Sequence, residues 1–237
     1  MTYHNGPKIV TSGLVLHLDA ANPKSYISGS STCNDLSSLN TNFGVFNGTG
    51  YTDNPAKFVF DGVDDNLGIT SVPSSLQLKD DKTITCWWKH YSVGGDAEAS
   101  IIRVGLGTDL LYAVFSNNAS SGNARKLSFH WYNGAFFTVA STTTFVLDTF
   151  NFGVVSVNGP TARFYINGIL AGSGSVTTPS PVSAAQVGIG ASRAGGVVGT
   201  TGQDLAGEIS MIQVYNRALS ADEILQNFNA TRGRFRI

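Results

Sequence analysis

Short alternating apolar runs joined by Asn-Gly dipeptides constrain this chain more than any other feature. Residues 127–132 (LSFHWY) and 135–140 (AFFTVA) flank Asn133-Gly134, residues 151–157 (NFGVVSV) run into Asn158-Gly159, and residues 162–166 (ARFYI) run into Asn167-Gly168. An Asn-Gly pair accepts the positive φ of a two-residue hairpin turn, whose twist matches that of the flanking strands. Period-two alternation then buries one side of each strand. The chain is committed to antiparallel hairpins. The Gly188–Gly190 run is therefore no dinucleotide loop, because no helix follows it and no βαβ unit surrounds it.

Composition agrees with this reading. The chain has 27 glycines, only three glutamates and 13% charged residues, while 42% of its 237 residues are hydrophobic. That balance suits many short strands, tight turns and an ample core. One helix is legible near the end. Ser220 stands three residues before Glu223 as a capping box, Ile224, Leu225 and Phe228 supply an apolar stripe, and Gly233 supplies the stop. The expected fold class is all-β, a two-sheet antiparallel jelly-roll sandwich with one short C-terminal helix. A single domain, residues 1–237 with its core at about 14–228, accounts for the whole length.

The acids concentrate in residues 57–69, KFVFDGVDDNLGI. Phe58 and Phe60 lie on one strand, Asp61-Gly62 makes a tight turn, and Leu67 and Ile69 resume the alternation, so the stretch reads as a hairpin corner. Asp64 and Asp65 set two carboxylates side by side, a donor set suited to calcium. The plainer reading has Asp61 and Asp64 bonding turn N–H groups and Asp65 solvated. Residues 83–89 (TITCWWK) alternate next: Ile84, Cys86 and Trp88 face one way, and Thr85, Trp87 and Lys89 the other. One tryptophan belongs to the core. The other is either covered or an exposed platform for a sugar ring or a partner, which makes Trp87 and Trp88 the candidate contact residues.

Several functions are excluded or left without support. A net charge of −1 does not suit a polyanion, so no nucleic acid is expected. No run approaches about 18 continuous apolar residues, so no span is expected in a membrane. No signal-peptide pattern opens the chain, which points to synthesis and folding in a cytoplasm. The Asn-x-Ser/Thr triplets at Asn47, Asn118 and Asn229 are then chance occurrences. Cys33 and Cys86 lack metal-site spacing and read as inert buried thiols, with a bridge between them left open. Arg232, Arg234 and Arg236 form a basic tail that complements a helix C-terminus or docks on an acidic neighbour. The glutamates, Glu98, Glu208 and Glu223, do not form the E-x-D-x-x-E pattern of glucanases. Of the scattered histidines His4, His17, His90 and His130, His17 and His130 are expected on solvent-facing sides of strands. No catalytic residue is assigned.

Five stretches carry a resemblance. They are GLVLHLDAANPKSY at 13–26 followed by N-D-L-S at 34–37, F-V-F-D-G-V-D-D at 58–65, I-T-C-W-W-K at 84–89, F-Y-I-N-G at 164–168 and Y-N-R-A-L-S-A-D-E-I at 215–224. Together they resemble the laminin-G-like branch of the concanavalin A-like lectin/glucanase superfamily, of the type found in tailed-phage virion proteins. Cys33-Asn34 departs from the pattern, which often has an aromatic before D-L-S. The resemblance implies a calcium site at the sandwich rim, for which Asp64 and Asp65 are the matching acids. It further implies a non-enzymatic virion surface protein, either a capsid decoration protein or a tail-associated adhesin. Its partners would be other virion proteins, copies of itself and host cell-surface glycans. The alternatives are a soluble carbohydrate-binding module using Trp87 or Trp88 and, behind it, a glycan hydrolase.

Overall fold

Among the described residues sixteen strands and one α-helix follow in order: β1 Leu14–Asp19, β2 Thr32–Cys33, β3 Phe43–Phe46, β4 Gly50–Asp53, β5 Ala56–Asp61, β6 Asn66–Ile69, β7 Lys82–His90, β8 Glu98–Val104, β9 Tyr112–Asn117, β10 Leu127–Tyr132, β11 Phe136–Ala140, β12 Asn151–Asn158, β13 Thr161–Ile166, β14 Ile169–Ser175, β15 Val187–Ile189, β16 Ala206–Tyr215 and α1 Ala221–Thr231. They come from a computed structural model that describes residues 7–117, 124–181, 183–192 and 203–237. His4, Asn118 and the loop tips expected at 117–123 and 195–202 fall wholly or largely outside the described residues.

The strands form two antiparallel sheets. The first runs β14-β13-β12-β7-β16-β5-β4, with β1 also paired to β16; the second runs β11-β10-β9-β8-β15-β6-β3-β2. Strand β16 is the spine of the first sheet and is buried along its whole length. Its first half pairs with β5 and its second half with β1, while β7 lies along its other side. The Asn-Gly turns join β10 to β11, β12 to β13 and β13 to β14, each pair in antiparallel register.

Inward-facing residues of both sheets make one core that includes Leu16, Phe58, Phe60, Trp88, Ile102, Val114, Phe129, Trp131 and Phe164. Each such large apolar side chain contributes about 1.5–3 kcal/mol through burial. Gly153 leaves the room that Trp88 occupies, since a Cβ there would lie 2.5 Å from the indole ring. Inside the sandwich, His90 Nδ1 bonds Ser116 Oγ at 2.9 Å and so ties β7 of one sheet to β9 of the other. The thiols of Cys33 and Cys86 are both free and buried.

The second sheet leaves its outer face open in part, whereas the first sheet is capped. Ser220 accepts from Glu223 N at 3.2 Å, Glu223 Oε2 accepts from Ser220 N at 2.9 Å, and Arg217 holds both oxygens of Glu223. The capping box thus starts α1 where the sequence places it. Helix α1 does not stop at Gly233 but tightens into a 3-10 turn, Arg232–Phe235. Ile224 and Phe228 of α1 pack on Trp87, Phe152, Tyr165 and Met211 of the first sheet. The basic tail docks within the chain, with Arg234 Nη1 2.7 Å from Asp19 Oδ1. Among the described residues no helix is long and apolar enough to cross a membrane.

Residues 57–69 are not a hairpin. Strand β5 pairs with β4 and β16 in the first sheet, and β6 pairs with β3 and β15 in the second. The Asp61-Gly62 turn therefore carries the chain from one sheet to the other. Alternation is identical in both arrangements, so it does not separate a hairpin from a corner between sheets. Gly62 sits at φ +81°, and a Cβ there would lie 2.7 Å from Gly95 Cα, so the close approach of two loops requires glycine.

Asp35 of the N-D-L-S segment fastens the long polar loop onto β1. Its carboxylate accepts from His17 N and Ser37 N at 2.8 Å each, from Ser37 Oγ at 2.6 Å and from Thr41 N at 3.0 Å. His17, expected at the surface, is buried beneath this loop and the C-terminal tail. Burial lowers its pKa, against the opposing charges of Asp19 and Asp35.

Candidate functional site

The two tryptophans singled out in the sequence are both fully buried. Trp88 points between the sheets and meets Phe145 edge-on. Trp87 points outward, but α1 and the C-terminal turn cover it: its ring stacks on Phe228 and Phe235, and its Nε1 donates to Thr231 Oγ1 at 2.7 Å. Neither ring has a face for a ligand, which corrects the expectation of an exposed platform. The cover comes from a helix more than 130 residues further along the chain, out of reach of local pattern.

The acidic corner keeps its geometry. One oxygen each from Asp61, Asp64 and Asp65 lies within 4.8 Å of the others. Asp61 Oδ1 accepts from Val63 N at 2.8 Å, as the turn reading requires, and the Asp64 carbonyl accepts from the side-chain amides of Asn47 and Asn66. Asp65 is not solvated, however. It is 6% exposed, and Oδ2 accepts from Asp61 N at 2.9 Å. Burial, reinforced by the charges of Asp61 and Asp64, pushes its carboxyl up to about 6. Oxygen ligands of calcium sit about 2.3–2.6 Å from the ion, so oxygens spaced this way fit a single cation.

A groove of about 610 Å³ opens on the outer face of the second sheet, over β8 to β11. Strand register builds it. Arg103 pairs with Ala113, Ala113 with His130, and His130 with Thr138, which sets Arg103, His130 and Thr138 in one row across four strands. Phe136 lies beside that row on β11, and Glu98, Leu106, Gly107, Leu110, Phe115 and Gln203 complete the lining among the described residues. A bulge between Ser100 and Ile102 makes the row possible. It allows Ile101 and Ile102 both to enter the core and turns Arg103 outward.

The floor of the groove is fixed by hydrogen bonds. His130 Nε2 meets Ser128 Oγ at 2.8 Å, and its Nδ1 meets Thr138 Oγ1 at 3.0 Å. Phe115 packs edge-on against the imidazole, 4.4 Å between centroids. Burial, helped by the charge of Arg103, pushes His130 down to about 4, so it is neutral near pH 7. His130 thus lies on the outer face, as its alternation with core residues Phe129 and Trp131 implies, and is half-buried in the floor of the groove. Phe136 is 59% exposed and presents an apolar ring at the edge. Within this row the sequence singles out only His130, as the residue alternating with Phe129 and Trp131. The part played by Arg103 depends on a bulge that no sequence signal marks.

Two packed antiparallel sheets with a groove over one of them define a lectin-like jelly roll. The chain belongs to the concanavalin A-like lectin/glucanases superfamily, whose family model matches residues 61–225. No curated protein sequence matches it. Among solved structures, the botulinum neurotoxin serotype D binding domain is similar with a TM-score of 0.68 at 13% identity, over 94% of this chain and 53% of its own. A Trypanosoma rangeli sialidase in complex with sialic acid gives a TM-score of 0.69 at 13% identity, over 97% of this chain and 35% of its own. The botulinum neurotoxin type G receptor binding domain gives 0.64 at 14%, over 92% of this chain and 51% of its own. The chain thus spans about half of the toxin domains and about a third of the sialidase. At these identities the likeness is one of fold.

Proposed function

We propose that the protein is a non-enzymatic saccharide-binding module whose ligand lies in the groove over β8 to β11. The observation that carries this reading is the pairing of an exposed ring, Phe136, with a row of fixed polar groups, Arg103, His130 and Thr138, in one cleft. A pyranose ring offers an apolar face to an aromatic and hydroxyls to such groups. The superfamily holds lectins and glucanases alike, so binding without hydrolysis needs its own support. Glycoside hydrolysis uses two carboxylates, and among the described lining residues of the groove Glu98 is the one carboxylate. Both nitrogens of His130 are committed to hydroxyls, which disfavours it as an acid or base. A glycan array probed with the purified protein tests this reading. Saccharide binding without release of reducing ends is expected; hydrolysis, or no binding at all, would overturn it.

The finer assignment places this module on the surface of a tailed-phage virion, made in the host cytoplasm, with other virion proteins, copies of itself and cell-surface glycans as partners. Its support is the set of sequence motifs running from the GLVLHLDA opening to Y-N-R-A-L-S. Mass spectrometry of purified particles decides it, since absence of the chain from intact virions would remove the assignment. A calcium ion held by Asp61, Asp64 and Asp65 belongs to the same proposal, supported by the oxygen spacing and by the burial of Asp65. It would neutralise the corner between the two sheets.

A further inference from the structure

Arg103 is an unusual tenant of a sheet face. It is only 7% exposed, yet no carboxylate among the described residues pairs with it. Its Nε donates to Gly105 O at 3.0 Å and its Nη1 to Gln203 Oε1 at 2.6 Å. Two of the five N–H donors of a guanidinium are therefore engaged, both by neutral oxygens. A buried cation with neutral partners alone is costly unless a counter-charge completes it. Burial lowers the pKa of Arg103 against the charge of Asp109, the same imbalance seen from the proton's side. Some other cations show the contrast, while Lys82, 1% exposed, also bonds a neutral carbonyl, that of Lys79. Lys57 and Lys89 share Glu208, and Arg217 holds Glu223.

The missing counter-charge has a place to come from, because Arg103 lines the groove. Neutral His130 and Thr138 continue its row without adding charge. Glu98 also lines the groove, but it pairs with Asn117 where Arg103 pairs with Ala113. That offset of four residues along β9 is roughly 13 Å at the rise of a strand. The groove is thus cationic at one end and anionic at the other. An acidic ligand bound with its charge at Arg103 keeps its neutral hydroxyls toward Glu98.

We infer that the groove selects saccharides bearing a carboxylate, as uronic or sialic acids do, and sets that carboxylate against the guanidinium of Arg103. The inference rests on the reading of the groove as a saccharide site and adds the class of sugar. A planar carboxylate matches the planar N–H edge of arginine better than a point cation would.

The test is an array on which each carboxylated glycan is printed beside its methyl ester, its neutral counterpart and a sulfated analogue. Hits measured by calorimetry should favour acid over ester by at least about tenfold, and the preference should shrink as salt rises. Arg103→Gln should bring the acid-to-ester ratio toward one, and Arg103→Lys should keep only part of it. Should either variant fail to fold, the ratio in the natural protein and its salt dependence still decide. Equal binding of acid and ester would overturn this inference and leave the saccharide groove standing. Stronger binding of sulfated glycans than of carboxylated ones would also overturn it. Absence of any glycan binding would overturn both readings together.

Discussion

Trp87 Nε1 donates to Thr231 Oγ1 at 2.7 Å, and this bond pins the last turn of α1 to the centre of the first sheet. The indole is completely buried, and Thr231 Oγ1 in turn donates to Asn227 O at 2.7 Å. Thr231→Val removes the acceptor and leaves a buried N–H unpaired. A loss of about 1–3 kcal/mol is expected, read as a lowered urea midpoint. Trp87→Ala also opens a cavity under the helix and should cost about 3–5 kcal/mol. Because the saccharide site is placed on the opposite sheet, a folded Trp87→Phe protein should bind glycans as the natural protein does. Selective loss of binding in that variant would contradict the placement.

The contrast between these two faces explains what the sequence disclosed. Hairpins at Asn133-Gly134, Asn158-Gly159 and Asn167-Gly168 and the cap at Ser220 and Glu223 are local, since a few adjacent residues fix them. They were legible, and with them the all-β class. What covers Trp87 is not local, and neither is the partner sheet of Leu67, because alternation states which residues share a face but not what lies over it. Arg103 was hidden for a third reason. The bulge at Ser100 and Ile102 breaks the period-two count, and strict alternation would have turned Arg103 inward.

Phe136 supplies the groove with its exposed ring and meets Tyr132 edge-on at 5.2 Å. Phe136→Ala should weaken saccharide binding by about 1–2 kcal/mol, or roughly five- to thirtyfold. Stability should change by no more than about 0.5 kcal/mol, as for other exposed positions. Calorimetric titration beside a melting curve separates the two effects. Unchanged affinity would move the ligand away from β11.

Calcium is tested at the corner between the sheets. Added calcium should raise the melting temperature and a chelator should reverse the rise, with about 2.7 kcal/mol gained at a concentration one hundred times the dissociation constant. Asp65→Asn removes one of three clustered carboxylates while keeping an acceptor for Asp61 N. It should stabilise the calcium-free protein and abolish the response to calcium. A melting temperature indifferent to calcium in the natural protein would remove the ion from the proposal.

Acid should loosen the sandwich through His90. The imidazole is fully buried between the sheets, bonded to Ser116 and stacked on Phe145 at 6.2 Å. Burial pushes it down to about 4, although Asp148 opposes the shift. The unfolded chain binds this proton near pH 6.5, and the folded protein does so only near 4. Between those values the unfolded state holds more protons, so stability rises with pH across the window. The contribution is fully present above pH 6.5 and lost as pH falls toward 4, on the order of 3 kcal/mol in all. His130, also pushed down to about 4, adds a loss of the same sign. Urea unfolding of the natural protein and of His90→Gln at pH 7 and pH 4.5 measures the share of His90. The variant should keep a hydrogen bond to Ser116 and lose less stability on acidification. An equal loss in both proteins would assign the acid response to other groups.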